Sequence, residues 1–105
     1  MIKLTILYPF IDGSKFDWDY YLNKHMPLSE QLQGKAIKSV TVDKGLHAGL
    51  PDSNPPYTAI CHFLYDSYDD FKNAFFPNAK TLQDDIPNYT DIQPLILFSE
   101  VVYPK

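Results

Sequence analysis

The residue of this sequence best suited to acid–base chemistry is His25, which stands where a helix would otherwise carry an apolar core residue. Imidazole exchanges a proton near neutral pH, so a histidine in this setting can act as a general acid or base. Tyr21 lies one helical turn earlier on the same face, where it can orient the ring or polarise a substrate oxygen. The alternative is a structural histidine bonded to a backbone carbonyl, and the residues alone leave both interpretations open.

Two further polar residues are candidates for a supporting role. His62 lies in an alternating strand pattern. It shares a pocket with His25 if its face of the sheet meets the helices, and it is an interface residue if that face meets a partner sheet. Asp85 precedes a loop that can cover the pocket, where a carboxylate would assist proton transfer, although a solvated loop is the simpler explanation. The predicted ligand-binding residues share an aromatic or imidazole ring: Trp18, Tyr21, His25, His62, Phe75 and Tyr89.

The sequence lacks the patterns that are typical of metal and cofactor sites. Its three histidines are isolated, without the spacing of zinc-binding helices, and Cys61 is the only cysteine. Cys61 lies within a strand without an acid–base partner nearby, which favours a buried structural thiol over a nucleophile. We therefore expect no metal and no cofactor, and a single histidine ligand to haem is the alternative that stays open.

Charge and composition exclude several classes of function. The formal net charge is −4 and there is no arginine, whereas a nucleic-acid-binding protein needs a basic surface. The missing arginine also removes the usual bidentate clamp for phosphate or carboxylate groups, which favours a neutral ligand. No segment has the length and apolarity of a signal peptide or a membrane span, and a single cysteine allows no disulfide within the chain. We expect a cytoplasmic protein that binds neither nucleic acid nor membrane.

Periodicity predicts the first strand and the helix that carries His25. Residues 2–8 alternate as a strand does, and apolar spacing after a cap at Asp17 indicates a helix that ends at Gly34. Pro27 lies inside this helix and removes one backbone donor, so we expect a bend near His25.

The remaining elements complete a single domain over residues 1–105. Residues 37–46, 57–65 and 95–103 are predicted strands, and a second helix, capped by Ser67 and interrupted at Pro77, precedes the last strand. With right-handed crossovers this order gives an α+β fold of ferredoxin-like βαββαβ type. Both helices then lie on one face of a four-stranded antiparallel sheet.

The other face of the predicted sheet requires a cover. The third and fourth strands carry apolar residues on both faces, such as Ile60 and Phe63 or Leu97 and Phe98, whereas a sheet with one face in water alternates cleanly. The simplest cover is the same sheet of a second copy, related by a twofold axis. The sequence therefore predicts a homodimer in which two sheets form a dimeric α+β barrel.

Three stretches of the chain resemble the EthD family, which is associated with degradation of ethyl tert-butyl ether. Residues 16–28, with their Tyr-Tyr-x-x-x-His-x-Pro-Leu run, resemble its first-helix signature, and residues 57–66 and 85–90 are similar to two further stretches. The likeness extends over nearly the whole chain. It implies a dimeric α+β barrel with a pocket between sheet and helices, and it matches His25 to the motif histidine, which favours a functional role.

The resemblance implies several possible activities. Founding members of the family are associated with bacterial catabolism of fuel ethers, fungal proteins with a related domain dehydrate or decarboxylate aromatic polyketides, and the wider superfamily includes cofactor-free monooxygenases, lactone isomerases and haem-degrading enzymes. The first hypothesis is a protein that binds a small hydrophobic compound, aromatic or ether-type, in catabolism. The alternative is a cofactor-free dehydratase, isomerase, decarboxylase or monooxygenase that uses His25 as its general acid or base. A dimeric scaffold with a filled barrel is a third hypothesis.

Overall fold

The computed structural model describes all 105 residues and contains one antiparallel sheet of four strands. The strands are β1 (Ile2–Pro9), β2 (Ser39–Lys44), β3 (Tyr57–Tyr65) and β4 (Leu95–Glu100), in the spatial order β2-β3-β1-β4. The predicted ferredoxin-like βαββαβ fold is confirmed. Strand β2 is shorter at both ends than the predicted residues 37–46, β4 ends earlier than predicted, and residues 45–56 form the long connection to β3.

The first helix, α1, spans residues 18–33 and changes its winding along its length. It begins with an α-helical turn at Trp18–Tyr20, continues as a π-helix at Tyr21–His25 and ends as an α-helix at Met26–Gln33. The predicted cap is present, because the Asp17 side chain accepts the Tyr20 N–H at 3.1 Å. The bend was predicted near His25, and at that place the structure has this π-helix.

The absence of an N–H at Pro27 explains where the winding changes. Pro27 cannot donate to the carbonyl four residues before it, so the regular α-helical ladder is interrupted at this point. Instead the Met26 N–H donates to the Tyr21 carbonyl, five residues back. A π-helix of this kind adds one residue to the turn, and such insertions are frequent at functional sites.

The second helical region consists of two pieces, as Pro77 indicated. Helix α2 (Tyr68–Phe75) begins at Ser67, whose hydroxyl oxygen accepts the Asp70 N–H at 3.1 Å. A 3₁₀ turn at Phe76–Asn78 separates it from α3 (Ala79–Asp85), and a further 3₁₀ turn follows at Ile86–Asn88. No helix of the chain is long and apolar enough to cross a membrane.

The two faces of the sheet differ in their cover. Alternate residues of β3 pack against the helices and are buried, among them Cys61, Phe63 and Tyr65. The face turned away from the helices, which we call the open face, carries the other set of side chains. From the strand register these are Lys3, Thr5, Leu7, Ser39, Thr41, Asp43, Thr58, Ile60, His62, Leu64, Leu95, Leu97 and Ser99.

Candidate functional site

A cavity of about 830 Å³ lies between the helices and the β1–β4 side of the sheet. Its wall is mainly apolar, and the part nearest α2 is aromatic. The aromatic side chains of that part are Phe63, Phe71, Phe75, Phe76 and Phe98. The cavity is accessible beside β4, where Ile96 is 55% exposed. A concave apolar site of this size is typical of small-molecule binding sites.

His25 lies in the wall of this cavity and contacts Asp85 at the end of α3. The His25 Nδ1 atom is 2.9 Å from the Asp85 Oδ2 atom. A carboxylate only accepts hydrogen bonds, so the proton of the neutral ring stays on Nδ1 and Nε2 carries the lone pair. The chain provides no hydrogen-bond partner for Nε2, and this atom is not sealed within the protein. His25 therefore has the arrangement of a general base that is oriented by a carboxylate.

Two further side chains hold the Asp85 carboxylate in place. The Tyr20 hydroxyl donates to Asp85 Oδ1 at 2.6 Å, and the Asn88 amide donates to the same oxygen at 2.9 Å. The π-helix explains how Tyr20 and His25 meet one carboxylate. In a regular α-helix, side chains five positions apart point about 140° away from each other, and the wider π-helical turn reduces this angle.

The electrostatics of the pair favour a neutral imidazole beside an anionic carboxylate. Burial lowers the pKa of His25, and the hydrogen bond and charge of Asp85 only partly oppose this shift. Burial by itself would raise the pKa of Asp85, but hydrogen bonds from Tyr20, Asn88 and His25 outweigh it and hold the pKa below its usual value. At neutral pH the His25 ring is therefore free to accept a proton.

Tyrosine rings fix the orientation of the imidazole. The Tyr21 ring is stacked on His25, with centroids 5.8 Å apart and 14° between the planes, and the Tyr89 ring lies 4.7 Å away on a tilted plane. Tyr21 is 1% exposed. Its hydroxyl contacts the Cys61 thiol in the core, and burial raises its pKa. Tyr21 was predicted either to orient the imidazole ring of His25 or to polarise a substrate oxygen, and this placement matches the first role.

The buried hydroxyl groups form a cluster under the histidine. The Tyr8 and Tyr89 hydroxyls are 2.6 Å apart. Burial raises the pKa of Tyr8 to about 12 and that of the Cys61 thiol to about 12. Cys61 is thus a buried thiol rather than a reactive thiolate.

The structure brings together only some of the residues predicted for the site. Tyr21, His25, Phe75 and Tyr89 line the cavity, and Asp85 is bonded to His25. Trp18 does not line it; its ring packs 4.7 Å from Phe16 and lies under the Lys44 ammonium group. This corrects the prediction of Trp18 as a ligand-binding residue.

His62 is also placed outside the cavity. Because Cys61 and Phe63 point to the helices, the strand alternation directs His62 to the open face. There its Nδ1 atom is 3.1 Å from the Thr5 hydroxyl, and its Nε2 atom is 4.0 Å from the Asp43 carboxylate. The hypothesis that His62 shares a pocket with His25 is corrected accordingly, which leaves the alternative of an interface residue.

Four polar residues of the site were missed in the sequence. Tyr20 and Asn88 hold Asp85, whereas Ser29 and Gln33 line the cavity further along α1. The last two follow His25 at intervals of four residues, which is a signal of one helix face. No group of three or more His, Cys, Asp or Glu side chains is arranged to hold a metal ion.

Comparisons with known proteins identify relatives of the chain. A family model described as the EthD domain matches residues 13–93. The crystal structure of an EthD-like protein from Ralstonia eutropha is 38% identical and superposes with a TM-score of 0.94, over 99% of this chain and 94% of that one. An ethyl tert-butyl ether (EthD) family protein from Bacillus halodurans is 20% identical, with a TM-score of 0.74 over 97% and 99% of the two chains.

A more distant similarity extends to the fold alone. A dimeric protein of ferredoxin-like fold from Bacteroides fragilis is 14% identical, with a TM-score of 0.56 over 95% of each chain. A search among curated proteins finds no match.

Proposed function

Because the chain belongs to the EthD family, we propose that it binds a small, uncharged and mostly apolar molecule in the cavity between the helices and the sheet. The observation that carries this proposal is the composition of the wall. The wall is apolar and aromatic around one imidazole, and its only formally charged residues, Lys15 and Asp91, are exposed at the rim. A charged ligand would lose hydration without gaining a partner.

The proposal extends to the kind of compound and to its use. The family name of the Bacillus halodurans relative refers to an ether. An aromatic or ether-type compound would bury its carbon skeleton against the phenylalanines and direct one oxygen to the polar groups of α1. We assign this binding to the catabolism of organic compounds.

Neighbouring residues of β4 provide a matched pair of variants to test ligand binding. Ile96 lines the cavity and Leu97 lies on the open face, and they are 55% and 53% exposed. Ile96→Lys should reduce the rise in melting temperature that para-phenylphenol produces, since it places a charge at the opening of the cavity, whereas Leu97→Lys should retain the rise. The absence of any rise in the wild type at millimolar probe would contradict the proposal.

A second candidate function, cofactor-free acid–base catalysis, rests on the His25–Asp85 pair. In this reaction the His25 Nε2 atom takes a proton from a carbon next to a carbonyl, or from a hydroxyl, of the bound compound. Asp85 remains ionised and stabilises the imidazolium, which then returns the proton to another atom of the same molecule. A dehydratase or an isomerase needs this step, a decarboxylase needs only the delivery of a proton to carbon, and no metal or cofactor takes part in either.

Proton exchange from a simple ketone tests the second candidate. The wild type should accelerate exchange of the methyl protons of para-hydroxyacetophenone with deuterated water, followed by NMR. His25→Gln should reduce the accelerated rate by about 10²-fold or more, which is the usual contribution of a general base. His62→Gln, on the open face, is the control and should keep the rate. Equal rates for His25→Gln and the wild type would remove His25 as the base.

We further propose that the chain forms a homodimer through the open face, in the cytoplasm. Half-buried and exposed leucine and isoleucine side chains make up the apolar part of this face, and an exposed apolar surface is stabilised by a matching cover. The relative from Bacteroides fragilis, described as dimeric, supports the proposal at the level of the fold. A free thiol such as that of Cys61 is compatible with a reducing compartment.

A further inference from the structure

The side of α1 that lines the cavity is polar at three successive positions. His25, Ser29 and Gln33 are spaced by four residues and all three line the cavity. Ser29 is 4% exposed and Gln33 is 6% exposed, so both are removed from bulk water. Buried polar groups cost free energy unless they are hydrogen-bonded, so their place in a mainly apolar wall calls for an explanation.

Hydrogen bonds within the chain use only part of the capacity of Ser29 and Gln33. The Tyr65 hydroxyl donates to Gln33 Oε1 at 2.5 Å, and the Gln33 amide donates to the Ser29 oxygen at 3.0 Å. A primary amide has two N–H donors and a hydroxyl has one O–H donor. One N–H of Gln33 and the O–H of Ser29 therefore have no partner within the chain, and both residues line the cavity.

These donors lie at a distance from His25 along the length of the cavity. Four residues of α-helix advance about 6 Å and eight advance about 12 Å, so Ser29 and Gln33 follow His25 at roughly these intervals. Strand β1 lies alongside this part of α1. Tyr8 contacts Tyr21, next to His25, and Leu4, four residues before Tyr8 in the strand, also lines the cavity. Hydrogen-bonding groups of α1 thus line the cavity at two places, beside His25 and about 6 to 12 Å further along the helix.

The part of the cavity nearest α2 is aromatic. The Phe71 and Phe98 rings are 4.8 Å apart at an angle of 66°, and the Phe71 and Phe75 rings are stacked at 5.2 Å. Rings arranged in this way accommodate a flat apolar group by stacking and edge contacts.

From these features we infer that Ser29 and Gln33 form a second polar subsite. The ligand class is an uncharged, elongated molecule with a flat apolar middle and an oxygen function at each end. One oxygen meets His25 and the other accepts hydrogen bonds from Ser29 and Gln33. This inference rests on the proposed function, since it names the kind of molecule that occupies the same cavity.

A comparison of two ligands and two proteins tests the subsite. The probes are para-phenylphenol, with one hydroxyl, and para,para′-biphenol, with a hydroxyl at each end. Calorimetric titration gives the dissociation constant of each probe for the wild type and for Ser29→Ala, a variant that removes one atom from a helix and keeps its propensity high. Ser14→Ala, in the loop before α1, is the control variant.

The subsite predicts a loss that is specific to the second hydroxyl. In the wild type biphenol should bind more tightly than phenylphenol, and Ser29→Ala should weaken biphenol about three- to tenfold, as expected for one neutral hydrogen bond, without changing phenylphenol. Ser14→Ala should change neither constant.

The other outcomes separate failure of the subsite from failure of the cavity. If Ser29→Ala weakens both probes equally, or neither, Ser29 has only a structural role and the subsite is overturned while ligand binding stands. If biphenol binds the wild type no more tightly than phenylphenol, the assignment of a two-ended ligand is overturned. If neither probe binds the wild type, the proposed function fails and this inference fails with it.

Discussion

At the scale of single residues, the site is defined by the protonation states of His25 and Asp85. His25 is buried in its neutral form, and Asp85 is kept ionised by three donors, including the Tyr20 hydroxyl. A neutral imidazole with its Nδ1 proton committed to a carboxylate presents a basic Nε2 atom. The same arrangement makes folding sensitive to acid, because burial opposes protonation of His25 and protonation of Asp85 weakens its hydrogen bonds to the three donors.

The first prediction concerns the stability of the fold at mildly acidic pH. The pKa of His25 lies below its ordinary value of 6.5 in the folded chain, so the unfolded chain binds more protons as the pH falls through that value. Stability should therefore decrease from about pH 6.5 downwards, until the lower folded pKa is reached, and Asp85, whose folded pKa is also lowered, should add a further decrease at more acidic pH.

Urea midpoints as a function of pH measure this effect. His25→Gln should flatten the decrease in the urea midpoint that begins near pH 6.5. His62→Gln, the same substitution at a histidine of the open face, should preserve this decrease. A wild-type midpoint that stays constant over this interval, or one that rises as the pH falls, would contradict the burial of a neutral His25.

A second prediction isolates the contribution of Tyr20. Tyr20→Phe removes the hydroxyl that donates to Asp85 at 2.6 Å and leaves the ring in place. The carboxylate charge is then less satisfied by the protein, so it should attract a proton on His25 more strongly and raise the pKa of His25 above that of the wild type. An NMR titration of the imidazole signals measures this change, with Tyr103→Phe at an exposed position as the control. An unchanged or lower pKa of His25 would show that Tyr20 does not position Asp85.

At the scale of elements, the π-helix in α1 determines which side chains meet. It allows Tyr20 and His25, five residues apart, to contact the same carboxylate, and it changes the phase of the helix that follows. Leu22, which regular spacing places in the core, is 47% exposed, whereas Ser29 is buried. The chemistry of the site thus depends on one additional residue in one turn.

Deletion of that additional residue gives the third prediction. Lys24 lies in the π-helix and is exposed, so its removal should restore regular α-helical winding without emptying the core. The residues before the deletion should then rotate by about 100° relative to those after it, and Tyr20 and His25 should no longer share Asp85. The NMR signal of the His25 Nδ1 proton should disappear and the melting temperature should fall. Lys24→Ala, which keeps the residue count, should retain both, and a deletion variant with the proton signal intact would contradict the role of the π-helix.

Local signals of the sequence predict the elements well, and they predict the site only in part. The helix ends are predicted from Asp17, Ser67 and Gly34. The side chains of Asp17 and Ser67 accept backbone N–H groups where a helix begins, and Gly34 adopts a positive φ where α1 ends. Alternation predicts β3 over its whole length. The contact of His25 with Asp85 joins residues 60 positions apart on different elements, so no local pattern reveals it.

The face of His62 was ambiguous for a related reason. Strand β3 has apolar residues on both faces, so hydrophobic alternation alone does not distinguish the side packed on the helices from the open side. Regular helical spacing likewise places Leu22 in the core, although Leu22 lies in the π-helix and is 47% exposed. Both differences concern orientation rather than the existence of an element.

At the scale of the whole molecule, the helices bury one face of the sheet and leave the other face with a mixed surface. Leu95 and Leu97 of β4 are 52% and 53% exposed on the open face, next to the half-buried Leu7 of β1. Polar residues such as Thr5 and His62 lie among them and are bonded to each other. A second copy placed on this face would cover the leucines.

The last prediction is that this face, and not the edge of the cavity, determines the association of two chains. Sedimentation equilibrium of the wild type should give the mass of a dimer at micromolar concentration, with a melting temperature that rises with protein concentration. Leu97→Lys places a charge from each chain in the same interface, so it should shift the equilibrium to the monomer and remove this concentration dependence. Ile96→Lys, one residue away on the cavity side of β4, should remain dimeric. If both variants are dimers, the chains associate through another surface; if the wild type is a monomer, the open face is stable in water and the dimeric barrel does not form.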